Sequence, residues 1–473
     1  MNGEVEELGL GEKIGYGFGD LASCLFWGLI SNYLLLFYVD VFGITAAAAG
    51  TMFFVSRFSD AIFDVIIGMV ADRTKTRWGK FRPYLLWLAI PIGVAAIFAF
   101  TTPNFHGSAK LLYAYVTFIL LMFLYSAINI PYTALLGVIS GDPTERSDAA
   151  TSKFIGAYSA GFIVGATAWP LATHLGHENQ ARGWQLTVAI YAVAAAVFFL
   201  ITFFCTRERV QPIAKEKTSV NRDLRDLSRN LPWMALFAVT ILLILFVCIR
   251  GSITAFYFKY YVGTQDLTLF GKTRHFGFAY LTSAFITTGQ IMSLVGTALV
   301  PIFARVLGRK RATVMLFIAA LICTGSYYFL RPQDLALIFG LNIIGSLVGG
   351  PISALLWIMY ADTADYSEWK TGRRATGLVF SASIMSNKMG WAFGSMIAGY
   401  ILADVGYVAN VAQSASVLAG LKAMMSIIPV AFGLVAVIVL AFFYRLDEMT
   451  MANVKAELDE RRKASGQVVA TAG

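Results

Sequence analysis

Charge is scarce in this chain of 473 residues. Asp, Glu, Lys and Arg make up only 14% of it, against roughly 25% in an ordinary soluble domain. With 58% hydrophobic residues and a mean hydropathy of +0.67, that scarcity excludes a soluble fold and leaves a polytopic membrane protein. Cysteine and histidine are scarce as well, with four of each. Cys24, Cys205, Cys248 and Cys323 lie in apolar segments, at spacings that fit neither a metal site nor a disulfide framework, so they read as small packing residues. His106, His174, His177 and His275 lie in or beside hydrophilic connections. With none inside a helix core, a membrane-embedded enzyme built on clustered histidine is excluded. There is also no basic patch: the net charge of +9 is spread over short connections, which argues against nucleic-acid binding. The opening residues MNGEVEELGL have no basic n-region, so the first membrane helix is expected to do the targeting without a cleaved leader.

What the chain does have is long apolar runs. Windows of about 19 residues predict an all-α protein of twelve transmembrane helices, near 12–41, 46–70, 83–102, 108–139, 151–173, 183–205, 231–261, 275–303, 312–331, 334–360, 375–403 and 417–444. Of the 37 Lys and Arg residues, 26 fall in the connections on the N-terminal side and five in those on the other. This asymmetry places both termini in the cytoplasm. The longest internal connection, 206–230, is basic and separates residues 1–205 from 231–444, two sets of six helices, with a cytoplasmic tail at 445–473. The halves echo each other: ADRTKTRWGKFRP follows the second span and FARVLGRKRA follows the eighth. A parallel repeat of this kind marks a transporter with its site between two bundles near the midplane.

Polar residues inside the spans carry the chemistry. Asp60 and Asp64 share one face of the second helix, about 16 and 10 Å from its cytoplasmic end, and Arg57 precedes them by one turn. Ionisable groups at that depth are costly and mark function. Two carboxylates in low dielectric do not easily hold two charges, so the pair suits a proton or, with neutral oxygens, Na⁺. The alternative is a structural Arg57–Asp salt bridge, which would leave one carboxylate spare. Asn129 and Tyr132 flank Pro131 in the fourth span, where an amide suits sugar hydroxyls and equally suits interhelical bonding. Lys153 opens the fifth span, Lys388 lies deep in the eleventh, and Trp391 follows on the same side. With Trp357, these form a set of ammonium, amide and indole groups suited to a polyhydroxylated ring. Asp20 in GEKIGYGFGD reads equally as a pathway residue or as the partner of a nearby cation. Arg250 and Lys259 lie toward the outer end of the seventh span as gate or interface residues. In ADTADYSEWKTGRR, Asp362, Asp365 and Glu368 recur every three residues. They are expected to face the basic loops of the other half and, with Asp72, Arg73 and Arg373, to close the cytoplasmic side in one state.

At these residues the chain resembles the glycoside–pentoside–hexuronide:cation symporter family, part of the major facilitator superfamily. The matching runs are GEKIGYGFGD, FYVDVFGI, SRFSDAIFDVIIGMVADRTKTRWGKFRPYLLW, INIPYTALLGVISGDPTERS, YADTADYSEWKTGRRATG and SNKMGWAFG, spread over both halves. The resemblance implies secondary active transport of a sugar or glycoside with H⁺ or Na⁺ by alternating access. It carries the family's paired carboxylates onto Asp60 and Asp64, its preceding arginine onto Arg57, and its basic residues in the fifth and eleventh helices onto Lys153 and Lys388. Melibiose-type members place aspartates where Cys24 and Asn129 stand, and an amide where Phe63 stands. Phe63 offers no oxygen to Na⁺, so H⁺ is the expected coupling ion.

The expectation is therefore a cation-coupled sugar or glycoside symporter, acting as a monomer in the lipid bilayer, with no cofactor and no metal. Asp60, Asp64 and Arg57 would hold the cation. Asp20, Asn129, Tyr132, Lys153, Trp357, Lys388 and Trp391 would hold the sugar. The alternatives are an uncoupled facilitator or exporter of the same fold, and Na⁺ in place of H⁺.

Overall fold

The computed structural model describes residues 8–464, apart from residue 141, 210–229, 270–271 and 372–375 and the side chains of a few further residues. Most of the connection 206–230 thus lies outside the described residues. Twelve long helical segments run through the described residues. They are α1 Leu10–Leu36, α2 Ala46–Arg73, α3 Arg82–Ala99, α4 Gly107–Leu135, α5 Pro143–Gly176, α6 Gln180–Cys205, α7 Leu231–Phe256, α8 Phe278–Ala298, α9 Arg309–Ser326, α10 Leu335–Thr371, α11 Thr376–Asp404 and α12 Ala415–Met425, which resumes beyond Ser426 as Ile427–Phe443. Side-chain oxygens fix several starts: Thr45, Asn179, Asn230 and Ser414 each accept the backbone N–H three residues on, satisfying donors that a helix leaves open at its first turn.

By length and composition, ten of these segments are apolar enough to cross a membrane. The two that fall short are α2 and α11, the helices carrying Arg57, Asp60 and Asp64 on one side and Asn387 and Lys388 on the other. Their polarity belongs to the site described below, and each packs along the other.

The packing repeats between halves. The contacts of α1 with α5 and α6, α2 with α4, and α3 with α4 and α6 recur as α7 with α11 and α12, α8 with α10, and α9 with α10 and α12. The two sets meet along α2 with α11, α5 with α8, and α1 with α7. The repeat extends to fine detail. Both α1 and α7 continue into a π-helical turn, Phe37–Phe42 and Tyr257–Val262. Each turn ends at a glycine of positive φ, Gly43 at 81° and Gly263 at 69°, whose N–H donates five residues back at 2.9 and 2.8 Å. A side chain there would be strained.

Small residues let the helices close up. A Cβ on Gly156 of α5 would lie 2.2 Å from the Gly17 carbonyl of α1, so the glycine-rich opening of α1 brings two backbones together. Several elements depart from expectation, among them α10, which runs on past the predicted end at 360 to Thr371 and carries the acidic stretch with it. A short antiparallel hairpin, β1 Gln265–Leu269 and β2 Lys272–Phe276, precedes α8. α5 starts at Pro143, its polar first turns standing beyond the apolar run. The tail, expected as a charged extension, carries helix α13 Glu448–Ala464, with Met451, Val454 and Leu458 buried against α10. Their spacing of three and four residues is that of one helix face.

Candidate functional site

A cavity of about 730 Å³ lies between the two helix sets, within the size range of small-molecule sites. Trp27, Trp357, Trp391 and Asn129 line it, and so do four charged side chains: Arg57, Asp60, Asp64 and Lys388. The helical repeat puts Arg57, Asp60 and Asp64 on one stripe of α2, and α11 brings Lys388 against that stripe from the other half. Lys388 Nζ donates to Asp60 Oδ2 at 3.0 Å and also to Asp64 Oδ2. Arg57 lies 3.9 Å from Asp60, and the Ser126 hydroxyl of α4 donates to Asp60 Oδ1. Two cations thus balance two carboxylates, and the cluster is formally neutral.

The cluster has a sealed side and an open side. Asp60 is 2% exposed and Arg57 9%, whereas the Asp64 and Lys388 side chains are each 27% exposed. The Oδ1 atom of Asp64 is nonetheless buried, with no hydrogen-bond partner among the described residues.

This arrangement revises the sequence reading of Lys388. Expected among the sugar ligands, it lines the cavity and is at the same time bonded to both carboxylates of α2, so the carboxylate left spare by Arg57 has a partner. Asn129, Trp357 and Trp391 do line the cavity, the Asn129 amide donating to the Tyr125 carbonyl at 3.1 Å. Asp20, Lys153 and Tyr132 do not line it; they form a second group between α1, α4 and α5. Lys153 Nζ lies 3.9 Å from Asp20 and 5.5 Å from the Tyr132 ring centre. Tyr132 is fully buried against Tyr16, ring centres 4.8 Å apart. The two hydroxyls donate to each other's backbone carbonyls, at 2.8 Å from Tyr132 and 3.3 Å from Tyr16. In this structure Tyr132 thus packs between the helices of one half, with its ring covered.

Sequence reasoning missed Trp27. Its ring carries the Arg57 guanidinium at 4.4 Å and meets Trp391 of the other half edge to face at 5.2 Å. It also missed Asp40, whose signal was an acid in the apolar run FYVDVF. In the π-turn after α1, Asp40 accepts from Lys259 and from the hydroxyls of Tyr260, at 2.6 Å, and Tyr407. Its own carbonyl accepts from the Asn410 amide at 2.6 Å. All four partners come from the C-terminal half, so this end of the molecule is clamped shut across the halves, and Lys259 is part of the clamp. Arg250 instead sits within the C-terminal set, over the Tyr327 ring at 4.9 Å.

At the opposite end, which holds the basic loops, several ion pairs tie residues of the same half. Lys13 pairs with Glu145 and Asp148, and Arg209 with Glu12. Glu208 accepts three backbone N–H groups of the α2–α3 turn. Asp362 is held by Arg309 at 2.5 Å, and Arg309 also pairs with Glu448 of the tail. The pairing of Asp362 with Arg309 is inside the C-terminal set, where sequence reasoning expected it to reach the other half. Asp365 and Glu368 lie half-buried further along α10, and Arg73 is exposed at the end of α2. The side chain of Asp72 and all of Arg373 lie outside the described residues.

Residues 15–448 match the family described as MFS/sugar transport protein. The chain belongs to that family. It is a transporter of the major facilitator type and not an enzyme, and it is a multi-pass inner membrane protein. Among family members, it is 34% identical to the inner membrane symporter YicJ of Escherichia coli (strain K12), over 98% of this chain and 97% of that one. It is 36% identical to the isoprimeverose transporter of Lactiplantibacillus pentosus, over 95% of this chain and 91% of that one. Among solved structures, it shares the fold of a bacterial homologue of the human lysosomal transporter Spinster, in an inward-facing and unoccupied conformation, with TM-score 0.67 at 14% identity, covering 94% of this chain and 97% of that one. The all-α architecture read from the apolar runs is that of the family.

Proposed function

We propose that this protein is a symporter that imports a sugar or glycoside with H⁺ across the bacterial inner membrane. It acts as a monomer, its two units being residues 1–205 and 231–444, and its basic end and both termini face the cytoplasm. The observation that carries this reading is Lys388 of one half bonded to both carboxylates of the other. The ammonium is a tethered cation occupying the place of a mobile one. A proton arriving at Asp64 removes one negative charge and loosens Lys388. The released ammonium, with three donors, turns to sugar hydroxyls in a cavity where Asn129 supplies an amide, and Trp357 and Trp391 supply apolar faces for sugar C–H groups. Cation binding thereby builds the sugar site, and sugar that engages Lys388 in turn frees the carboxylates for the cation. Such coupling is reciprocal by thermodynamic necessity.

The clamp at Asp40 supports an inward-open state, with alternating access achieved by rocking the two halves. In the opposite state, acids of α10 such as Asp362, Asp365 and Glu368, with Asp72, Arg73 and Arg373, exchange partners to close the cytoplasmic side. Proton coupling over Na⁺ is supported by Phe63, which packs edge to face on Phe123 at 5.0 Å and brings no ligand oxygen to the carboxylates. The relatives named for isoprimeverose and for glycoside/cation symport agree with a glycoside substrate. The test is uptake of a labelled glycoside panel into vesicles under an imposed pH gradient without Na⁺. Accumulation that collapses with a protonophore is the expected result. A strict Na⁺ requirement refutes the proton, and uptake indifferent to both ions leaves an uncoupled facilitator.

A further inference from the structure

A second, much smaller cavity of about 30 Å³ lies between the halves on the clamped side of the large one, and Arg57 and Trp391 line both. Its apolar wall is interrupted by three hydroxyls, Ser31 of α1, Ser252 of α7 and Ser395 of α11. The Ser31 and Ser395 hydroxyls each donate back to their own helix at 2.7 Å, leaving acceptor capacity toward the void. The layer between the cavities is Arg57, Trp27 and Trp391, stacked guanidinium on indole and indole edge on indole.

The three helices that supply these serines are those whose ends the Asp40 clamp ties together: α1 through Asp40, α7 through Lys259 and Tyr260, and α11 through Tyr407 and Asn410 just beyond it. Ser31 and Ser252 lie about 10–14 Å along their helices from the clamp. Releasing the clamp would let α1 part from α7 and α11, three of the helices that line this void. A second seam must part with it. A Cβ on Gly399 of α11 would lie 2.5 Å from the Ala46 carbonyl of α2, so this end closes only because that position is glycine.

We propose that the serine-lined void is the collapsed outer half of the sugar route. In the outward-open state Ser31, Ser252 and Ser395 form a hydroxyl-binding subsite for an arriving pyranoside or furanoside, with Trp27 and Trp391 as the septum that parts to pass it inward. This rests on the symport reading for its ligand, but the position of the route stands apart from the coupling ion.

The test uses the full-length protein in right-side-out vesicles, with Cys24 and Cys248 replaced by serine because both line these cavities. Each of Ser31→Cys, Ser252→Cys and Ser395→Cys is treated from outside with a membrane-impermeant thiosulfonate. Adding Asp40→Asn is expected to raise all three reaction rates at least tenfold, and saturating transported glycoside to lower them at least fivefold. Val247→Cys, on the exposed face of α7, should respond to neither. Should Asp40→Asn fail to reach the membrane, Gly399→Ala opens the same end by steric block and must give the same pattern. Rates unchanged by both variants overturn the proposal, as does a rise without protection by a glycoside that the same vesicles accumulate. Absence of any sugar uptake condemns the symport reading instead, since labelling that follows the clamp needs no sugar.

Discussion

Two of the ion clusters held by the described membrane-spanning helices differ in one respect. Asp20 and Lys153 belong to α1 and α5 of the same half, 3.9 Å apart. Asp60 and Asp64 belong to α2, but their second cation, Lys388, comes from α11 of the other half. A pair within one rigid body holds that body together and is carried through the cycle unchanged. A pair across two bodies changes energy whenever they move, so anything that competes for it moves them. The comparison teaches that charge at bilayer depth is not by itself coupling machinery; the partner must sit on the far side of a moving seam.

The sharpest break is Asp60→Asn, which removes a charge from the cross-half cluster while conserving shape. Uphill accumulation should fall to equilibration, a loss of at least 100-fold in the internal-to-external ratio, with sugar exchange surviving. Normal uphill uptake by this variant removes the central claim. Lys388→Met should come next. It strands two carboxylates against one arginine, and breaking a buried pair in this way costs roughly 3–5 kcal/mol. Accumulation should drop at least tenfold, and Lys388→Met combined with Asp64→Asn should recover much of the lost thermal stability without restoring coupling. A double-mutant cycle on melting temperature reads this; additive effects would mean that the two side chains do not act as a pair.

The within-half cluster should respond differently. Lys153→Met should lower thermal stability while leaving the proton-to-sugar ratio unchanged, and Lys153→Arg should restore the stability. A changed ratio measured by parallel proton and sugar fluxes would move Lys153 back among the coupling residues. Smallest of all, Tyr132→Phe deletes one buried hydroxyl and its bond to the Tyr16 carbonyl, worth about 1 kcal/mol, with KM for sugar within twofold of the parent. A tenfold rise in KM would return Tyr132 to the sugar site.

Much of this was legible in the residues. The apolar runs predict each helix to within several residues, apart from the longer start of α5, the end of α10 at Thr371 and the break at Ser426, because bilayer thickness sets span length and says nothing of polar turns beyond it. The stripe of Arg57, Asp60 and Asp64 follows from helical spacing alone. The partner of that stripe did not follow. Periodicity says which residues share a face but not which face of another helix meets it, so Lys388 was legible as a deep cation and not as a bridge. Trp27 looked like any apolar aromatic, since nothing local marks the ring on which an arginine 30 positions away will stack. Asp40 left a trace in two runs of similar form, FYVDVFG and YFKYYVG, each closing on glycine at the end of an equivalent helix. The tail helix was legible in the spacing of Met451, Val454 and Leu458, masked by the charges around them.

The neutrality of the central cluster has an electrical consequence. The four charged side chains lining the cavity sum to zero. On the symport reading, the empty carrier therefore reorients with no net charge at its centre, and the loaded carrier with one. A membrane potential then does its work on the inward stroke alone, about 2.3 kcal/mol for each 100 mV crossed by that charge, and the return stroke runs at a rate indifferent to voltage. Net uptake should draw an inward current that grows with polarisation, while exchange of sugar for sugar, in which the carrier stays loaded in both directions, should draw none.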